Sequence, residues 1–339
     1  MAGGKERVLR RRIKSVQSTK KITKAMELIA ASRILKAQQR VNAARPYSEQ
    51  ITEVIRNLAA AGAGRGSALL AEREEVRTMA FVVVAGDRGL CGGYNTNVIR
   101  AAEREMARVR AEGKQTRLVT VGKRPTAYFR FRGYEIDDAF TGFSDEPTYE
   151  DARSVAEAVV GRFEAGEYDQ VELFFTQFIS AGVQRVTQRR FVPIETDLLD
   201  AAETSDGPTA DYEFEPGPGE ILDRLLPRYA EARLFAALLE GSASFFAAQQ
   251  RAMKSATDNA EDLITKLSRV MNRARQDSIT TEIMEIVSGA EALRAGQSGG
   301  DDLLADNALH VANVGHRGGH AYAHSSTATR TGDRHDRDD

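Results

Sequence analysis

The apolar positions of this chain change period three times. From Lys5 to about Ala61, Ala, Leu, Ile, Lys, Arg and Gln dominate, and Pro46 is the only proline or glycine among them. That composition predicts a helix over residues 1–61, with Arg45-Pro46 as the place for a break or kink, because proline lacks an N–H and crowds the preceding turn. The run Ala61-Gly-Ala-Gly-Arg-Gly-Ser67 then reads as a loop. Over residues 78–200 the pattern becomes short and β-branched. Met79–Ala85 is continuously apolar, as a strand buried on both faces requires, and Arg117–Gly122 and Gln170–Thr176 repeat it. Helical stretches near 95–112 and 148–166 separate these strands, so the segment reads as a Rossmann-like α/β domain with a mainly parallel sheet. Residues 186–194 add an edge strand, and 200–219 read as a connecting loop.

From 218 to 293 the period lengthens again. Met253, Ala256, Ala260, Leu263, Leu267, Val270 and Ala274 fall at alternating spacings of three and four, and Ile279, Ile283, Ile286, Ala290 and Leu293 resume the pattern after a shift of five. This is coiled-coil patterning with one change of phase. A long helix packed in a bundle would account for it too, but long helices at both ends of one chain can cover each other as an antiparallel coiled coil. Residues 294–339 are rich in Gly, Asp, His, Ser and Thr and hold few large apolar residues, so they are expected to be disordered.

Composition narrows the chemistry. The apolar run Met79–Ala85 is far shorter than the roughly 18 residues of a membrane span. The N-terminus has no apolar signal core, and the single cysteine, Cys91, builds neither a disulfide nor a cysteine-based zinc site. Both features point to a protein kept in a reducing compartment. All five histidines lie in the tail (His310, His316, His320, His324, His335). The body therefore lacks the usual general base, the partner of a Ser or Cys nucleophile, and an imidazole metal ligand. The tail histidines could hold a borderline metal weakly, an accidental property of most such segments. Net charge is −2, yet residues 1–45 carry thirteen Lys and Arg against Glu6 and Glu27. Such a segment is either a solvated helix face or an attractor of anionic partners. A nucleic-acid-binding coiled coil is the alternative this suggests, but Tyr47 is the only aromatic residue near it, so base stacking has no support.

The segment Gly86-Asp-Arg-Gly-Leu-Cys-Gly-Gly-Tyr-Asn95 follows the first strand, where dinucleotide folds hold pyrophosphate. Its glycines, 86, 89, 92 and 93, do not make Gly-x-Gly-x-x-Gly, and no Gly-Lys-Ser/Thr follows. A dinucleotide-dependent oxidoreductase is thereby disfavoured. A tight turn sending the chain into a helix is the preferred reading, with Cys91 unactivated.

Several stretches are specific. Ile13–Ser32 followed by Arg45-Pro-Tyr47 closely resembles the N-terminal helix of ATP synthase gamma subunits. Asp87–Asn95 resembles the central motif of that family, and Ile279-Thr-Thr-Glu-Ile-Met-Glu-Ile-Val-Ser-Gly-Ala-Glu-Ala292 its C-terminal pattern. Ala256–Asn259 and Asn272–Gln276 match as well, so the resemblance spans residues 1–293. It implies terminal helices wound as an antiparallel coiled coil inside a hexamer of alpha and beta subunits, with the α/β domain gripping the epsilon subunit and the c-subunit ring. It also implies a rotor shaft without catalysis, cofactor, metal or nucleic acid. The shaft would be peripheral on the cytoplasmic face of the bacterial plasma membrane and held there only through the complex. By the same resemblance Lys24, Met26, Arg33, Arg275 and Gln276 are expected to meet the beta subunit. Asp87, Arg88 and Tyr94 are expected on the epsilon or c-ring side. Two departures stand out: Phe245 and Gln249 occupy positions where the family usually has Glu and Arg, and 46 residues follow Leu293, near which the family normally ends. The cysteine pair of plant-type redox control is absent.

Overall fold

The computed structural model describes residues 2–60, 67–194 and 215–309. Among these the order is α1 (Ala2–Ala60), β1 (Thr78–Val84), α2 (Tyr94–Ala111), β2 (Gln115–Val121), α3 (Lys123–Phe131), β3 (Asp138–Phe140), α4 (Tyr149–Glu164), β4 (Gln170–Phe178), β5 (Gln184–Val192) and α5 (Pro218–Leu309). The chain divides into two compact units, Arg7–Val270 and Met1–Glu6 with Met271–Asp339.

Within the first unit the strands form one sheet in the order β3-β2-β1-β4-β5. β1, β2, β3 and β4 run parallel, and β5 returns antiparallel to β4. This is the mainly parallel α/β fold expected. β1 lies in the middle, so Met79–Val84 are all buried, which is why its sequence does not alternate. On one face Ala80, Val82 and Val84 meet α4 through Val155, Val159 and Phe163, and the start of α5 through Leu222 and Leu226. On the other, Phe81 and Val83 meet Val98, Ile99 and Met106 of α2. α4 opens on a capping box in which Thr148 and Asp151 satisfy each other's amides.

Two elements went unforeseen. β3 is three residues long, and α3 follows β2 with only Gly122 between them. Gly122 has φ +112, and a Cβ there would sit 2.4 Å from the Ala85 carbonyl oxygen, so only glycine lets these turns close together.

The two long helices meet along an antiparallel seam. Lys20 pairs with Glu261 at 3.0 Å, the Thr23 and Thr257 hydroxyls meet at 2.8 Å, and Arg33 lies over Phe246, so partner numbers fall as α1 advances. The inward positions of α1 are 13, 16, 20, 23, 27, 30, 34, 37, 41, 44, 48, 51, 55 and 58, a heptad spacing kept without a break. On α5 the matching positions in this unit are Met253, Thr257, Ala260, Ile264 and Leu267. The expected seam was therefore right at 253, 260 and 267 and wrong between them. Thr257 and Ile264 turn inward, whereas Leu263 and Val270 are exposed. Thr257 is polar, and Leu263 and Ile264 are adjacent and equally apolar, so apolar spacing alone does not mark this stripe. The polar pair Thr23–Thr257 follows the geometry instead.

Three further expectations are corrected. α1 passes Pro46 without interruption. Burial of Ile51, Ile55 and Leu58 in the sheet core, worth about 1.5–3 kcal/mol each, exceeds the roughly 3 kcal/mol a mid-helix proline costs. In the second unit Ile279, Ile283, Ile286 and Leu293 are exposed, so the second apolar run does not form a buried stripe. Residues 294–309, expected to be disordered, continue α5, because helix propagation past a few glycines costs far less than nucleation. The loops expected at 61–67 and 200–219 lie mostly outside the described residues, as does 310–339 with all five histidines.

Candidate functional site

The glycine-rich turn after β1 is built by side chains that bond back to the chain. The Gly86 amide donates to Asn95 Oδ1 at 2.8 Å, and Asn95 Nδ2 donates to the Arg88 carbonyl at 2.9 Å and to Cys91 Sγ at 3.2 Å. Asn95 thus staples both ends of the turn to the first residues of α2. The Asp87 carboxylate receives the amides of Lys123, Gly142 and Ser144 at 2.9–3.1 Å, while its own amide donates to Ser144 Oγ at 2.8 Å. Partial burial pushes this carboxyl up, but the hydrogen bonds from Gly142, Ser144 and Lys123 together hold it below the ordinary carboxylate range. Burial pushes the Cys91 thiol up, so it is unsuited to nucleophilic chemistry.

The same turn is tied to the helices. Tyr94 is buried, its hydroxyl donates to the Gly241 carbonyl of α5 at 2.9 Å, and its ring meets Phe245 edge-on at 5.6 Å. A side chain at Gly241 would crowd that hydroxyl at 3.3 Å. Asp145 is the hub beside it. Arg88 from the turn and Arg33 from α1 both pair with its carboxylate, the latter at 3.4 Å, and Ser242 Oγ of α5 donates to its carbonyl at 2.6 Å. Arg33 also covers the ring of Phe246 and Arg88 that of Phe245, with guanidinium-to-centroid distances of 5.4 and 5.9 Å. Ile34, Ala37, Cys91, Ala243 and Ala247 fill the space between. Sheet domain and both helices are clamped at this joint.

The anticipated partner residues separate accordingly. Tyr94 and Arg33 serve the joint, with 39% of the Arg33 side chain still exposed, and the Asp87 carboxylate already receives three backbone amides. Arg88 and its neighbour Leu90 remain exposed at the tip of the turn. Phe245 is part of the clamp and Gln249 is buried, so these two departures sit inside the molecule. Asp145 was missed. In the sequence it is one of two adjacent loop acids, Asp145-Glu146, with nothing to single it out, and its two arginines lie 57 and 112 residues away.

The outward faces of the helices carry the rest. Lys24 is exposed and pairs with Glu27 at 3.1 Å, Met26 is half-buried, and Ile22, Leu28, Ile29 and Leu35 are exposed beside them. Leu263 and Val270 add to this apolar surface on α5. In the second unit Arg275 and Gln276 are exposed, as are Met284, Ile286 and Val287, with Ile286 at 71%. Helix faces that leave so many large apolar residues open to water are made to be covered. Among the described residues no cluster of ligating side chains could hold a metal ion, and no helix is long and apolar enough to cross a membrane.

A family model described as ATP synthase matches residues 5–293. The ATP synthase gamma chain of Frankia casuarinae is 52% identical over 297 residues, covering 86% of this chain and 99% of its own length. That of Mycolicibacterium smegmatis is 48% identical over 301 residues, with 85% and 97% covered. Among solved structures, a chain of the Euglena gracilis mitochondrial ATP synthase (OSCP/F1/c-ring) overlays with a TM-score of 0.63 at 18% identity, covering 87% of this chain and 96% of that one. A chain of the Tetrahymena thermophila mitochondrial ATP synthase central stalk and c-ring overlays with a TM-score of 0.52 at 21% identity, with 69% and 99% covered.

Proposed function

Because the chain belongs to the ATP synthase gamma-chain family, we propose that it is the central shaft of a bacterial proton-translocating ATP synthase and catalyses nothing itself. The carrying observation is an antiparallel helix pair with exposed apolar and basic faces, locked at Asp145 to a sheet domain. One asymmetric shaft cannot present the same face to three beta subunits at once. Each beta subunit is held at a different nucleotide affinity, and turning the shaft exchanges the roles. Lys24, Met26, Arg275 and Gln276 face the beta subunits, with contacts weak enough to release at each step, as exposed charge pairs are. The alpha subunits complete the surrounding hexamer. The sheet domain carries the epsilon subunit and the c-subunit ring, with Arg88 as the exposed residue of the turn. Asp87 and Tyr94 act there indirectly, by bracing the turn. The shaft sits at the cytoplasmic face of the plasma membrane through the complex alone. Residues 294–339 lie beyond the family match and form a dispensable or braking extension.

The test is co-purification on a tagged beta subunit from the same organism, with ATPase and proton-pumping assays. Stoichiometric recovery of this chain, and pumping that disappears without it, is the expected outcome. Recovery of a complex that pumps without this chain would refute the assignment. A chain ending at Leu293 that rotates at unchanged speed, with unchanged inhibition by ADP, would exclude a brake and leave the extension dispensable.

A further inference from the structure

The sheet order β3-β2-β1-β4-β5 reverses direction between β1 and β4. In open α/β sheets, ligands bind outside the carboxyl ends of the strands at such a reversal. Here the position holds a cavity of about 350 Å³ between the Gly92-Gly93 turn, the end of β4 at Thr176, and Gln184 and Arg251. Three features of its wall agree on one kind of ligand.

The first is Thr176. It is 5% exposed, and its Oγ1 is buried without a hydrogen-bond partner. It stands opposite Val186 and two residues from Phe174, and Phe174 packs with Val98 and Ile99 of α2. The alternation of a strand therefore turns the Thr176 hydroxyl toward α2 and the cavity, and a buried hydroxyl left unpaired is costly. The second is the start of α2. Its N-cap, Gly93, supplies no side-chain acceptor, and its first turn holds no acid, so the positive end of an 18-residue helix is uncompensated at the cavity. The third is charge. The Arg251 guanidinium is held at the mouth by the Gly182 carbonyl and Gln184 Oε1, and no carboxylate lines the cavity.

We propose that this crevice binds a phosphate-sized oxyanion, held by the start of α2, the Thr176 hydroxyl and Arg251.

The test is titration of the full-length chain with inorganic phosphate against potassium chloride at matched ionic strength. Backbone amide shifts of Gly92, Gly93, Asn95 and Thr96 are followed by NMR. Saturable shifts with phosphate, weakened about tenfold in both Thr176→Val and Arg251→Gln, are the expected result. Thr176→Val should also melt no lower than the parent, because it removes an unpaired hydroxyl from a buried site. Shifts that rise linearly and equally with both salts would overturn the proposal. So would saturable shifts that neither substitution changes, since the anion would then sit elsewhere.

Discussion

On β1 and β4, Met79–Val84 and Val171–Thr176 are buried without exception, and large aromatic residues such as Phe81 and Phe174 fill the space between sheet and helices. Along the helix seam the inward positions mix Ile13, Ile34 and Met253 with Lys20, Thr23, Glu27, Ala30, Ala37 and Ser48, and Ile22, Leu28, Ile29, Leu263 and Val270 look out. The sheet domain is stabilised by what it encloses. The helix pair encloses less, and its stability leans on whatever covers its outer faces. A shaft needs this division: a rigid base to receive torque, and a slender part whose energy lies at its outer surface.

The largest expected effect is in the sheet. Phe81→Ala should cost about 3–5 kcal/mol in urea unfolding of the full chain. A loss near 1 kcal/mol would mean that the sheet core is no tighter than the seam. At the seam, Ile264→Ala should cost about 1–2 kcal/mol, while Leu263→Ala, one residue earlier, should stay within about 0.5 kcal/mol. Equal costs would return Leu263 to the seam. In the assembled enzyme the order should reverse, with Leu263→Ala weakening retention of the shaft more than Ile264→Ala. Asp145→Asn leaves Arg33 and Arg88 without their shared carboxylate, but the arginines are 39% and 50% exposed as side chains, so the loss of stability should be only about 1 kcal/mol. ATP-driven proton pumping should fall further than ATPase activity in this variant, because the joint carries torque.

The smallest effect concerns pH. The carboxyl of Asp87 is depressed in the folded chain, so its contribution is complete above the ordinary carboxylate value of about 3.9 and fades as pH falls through the folded value. Asp87→Asn should lower stability at neutral pH and flatten the acid limb between the two values. An acid limb with unchanged slope would assign that limb to other carboxylates.

How much of this could be read from the chain depended on where the information lay. β1 and β4 were plain because a strand buried on both faces writes an unbroken apolar run. α4 was legible as a helical stretch near 148–166, and the structure adds that Thr148 and Asp151 cap its start. The inner positions of α1 were hidden, since Lys20, Thr23 and Glu27 occupy them and snorkelling stems or a matched hydroxyl replace hydrophobicity there. The joint was hidden for another reason. Asp145, Arg33, Arg88 and Ser242 share no local pattern and are brought together only by the fold. The motif Asp87–Asn95 identified the family, yet what its side chains do could not be seen in it: Asn95 staples the turn, Tyr94 reaches α5 and Asp87 collects amides.

The Thr23–Thr257 contact joins residues 234 positions apart, and this sets an order of events at the ribosome. At about 5–20 residues per second, α1 is complete roughly 10–50 s before the helix that covers its inner face has been made. Throughout that interval Ile13 lacks the helix that covers it in the finished chain. The lysines and arginines crowded around it then act as a solubilising coat for an unfinished chain, well before they meet a partner in the finished machine.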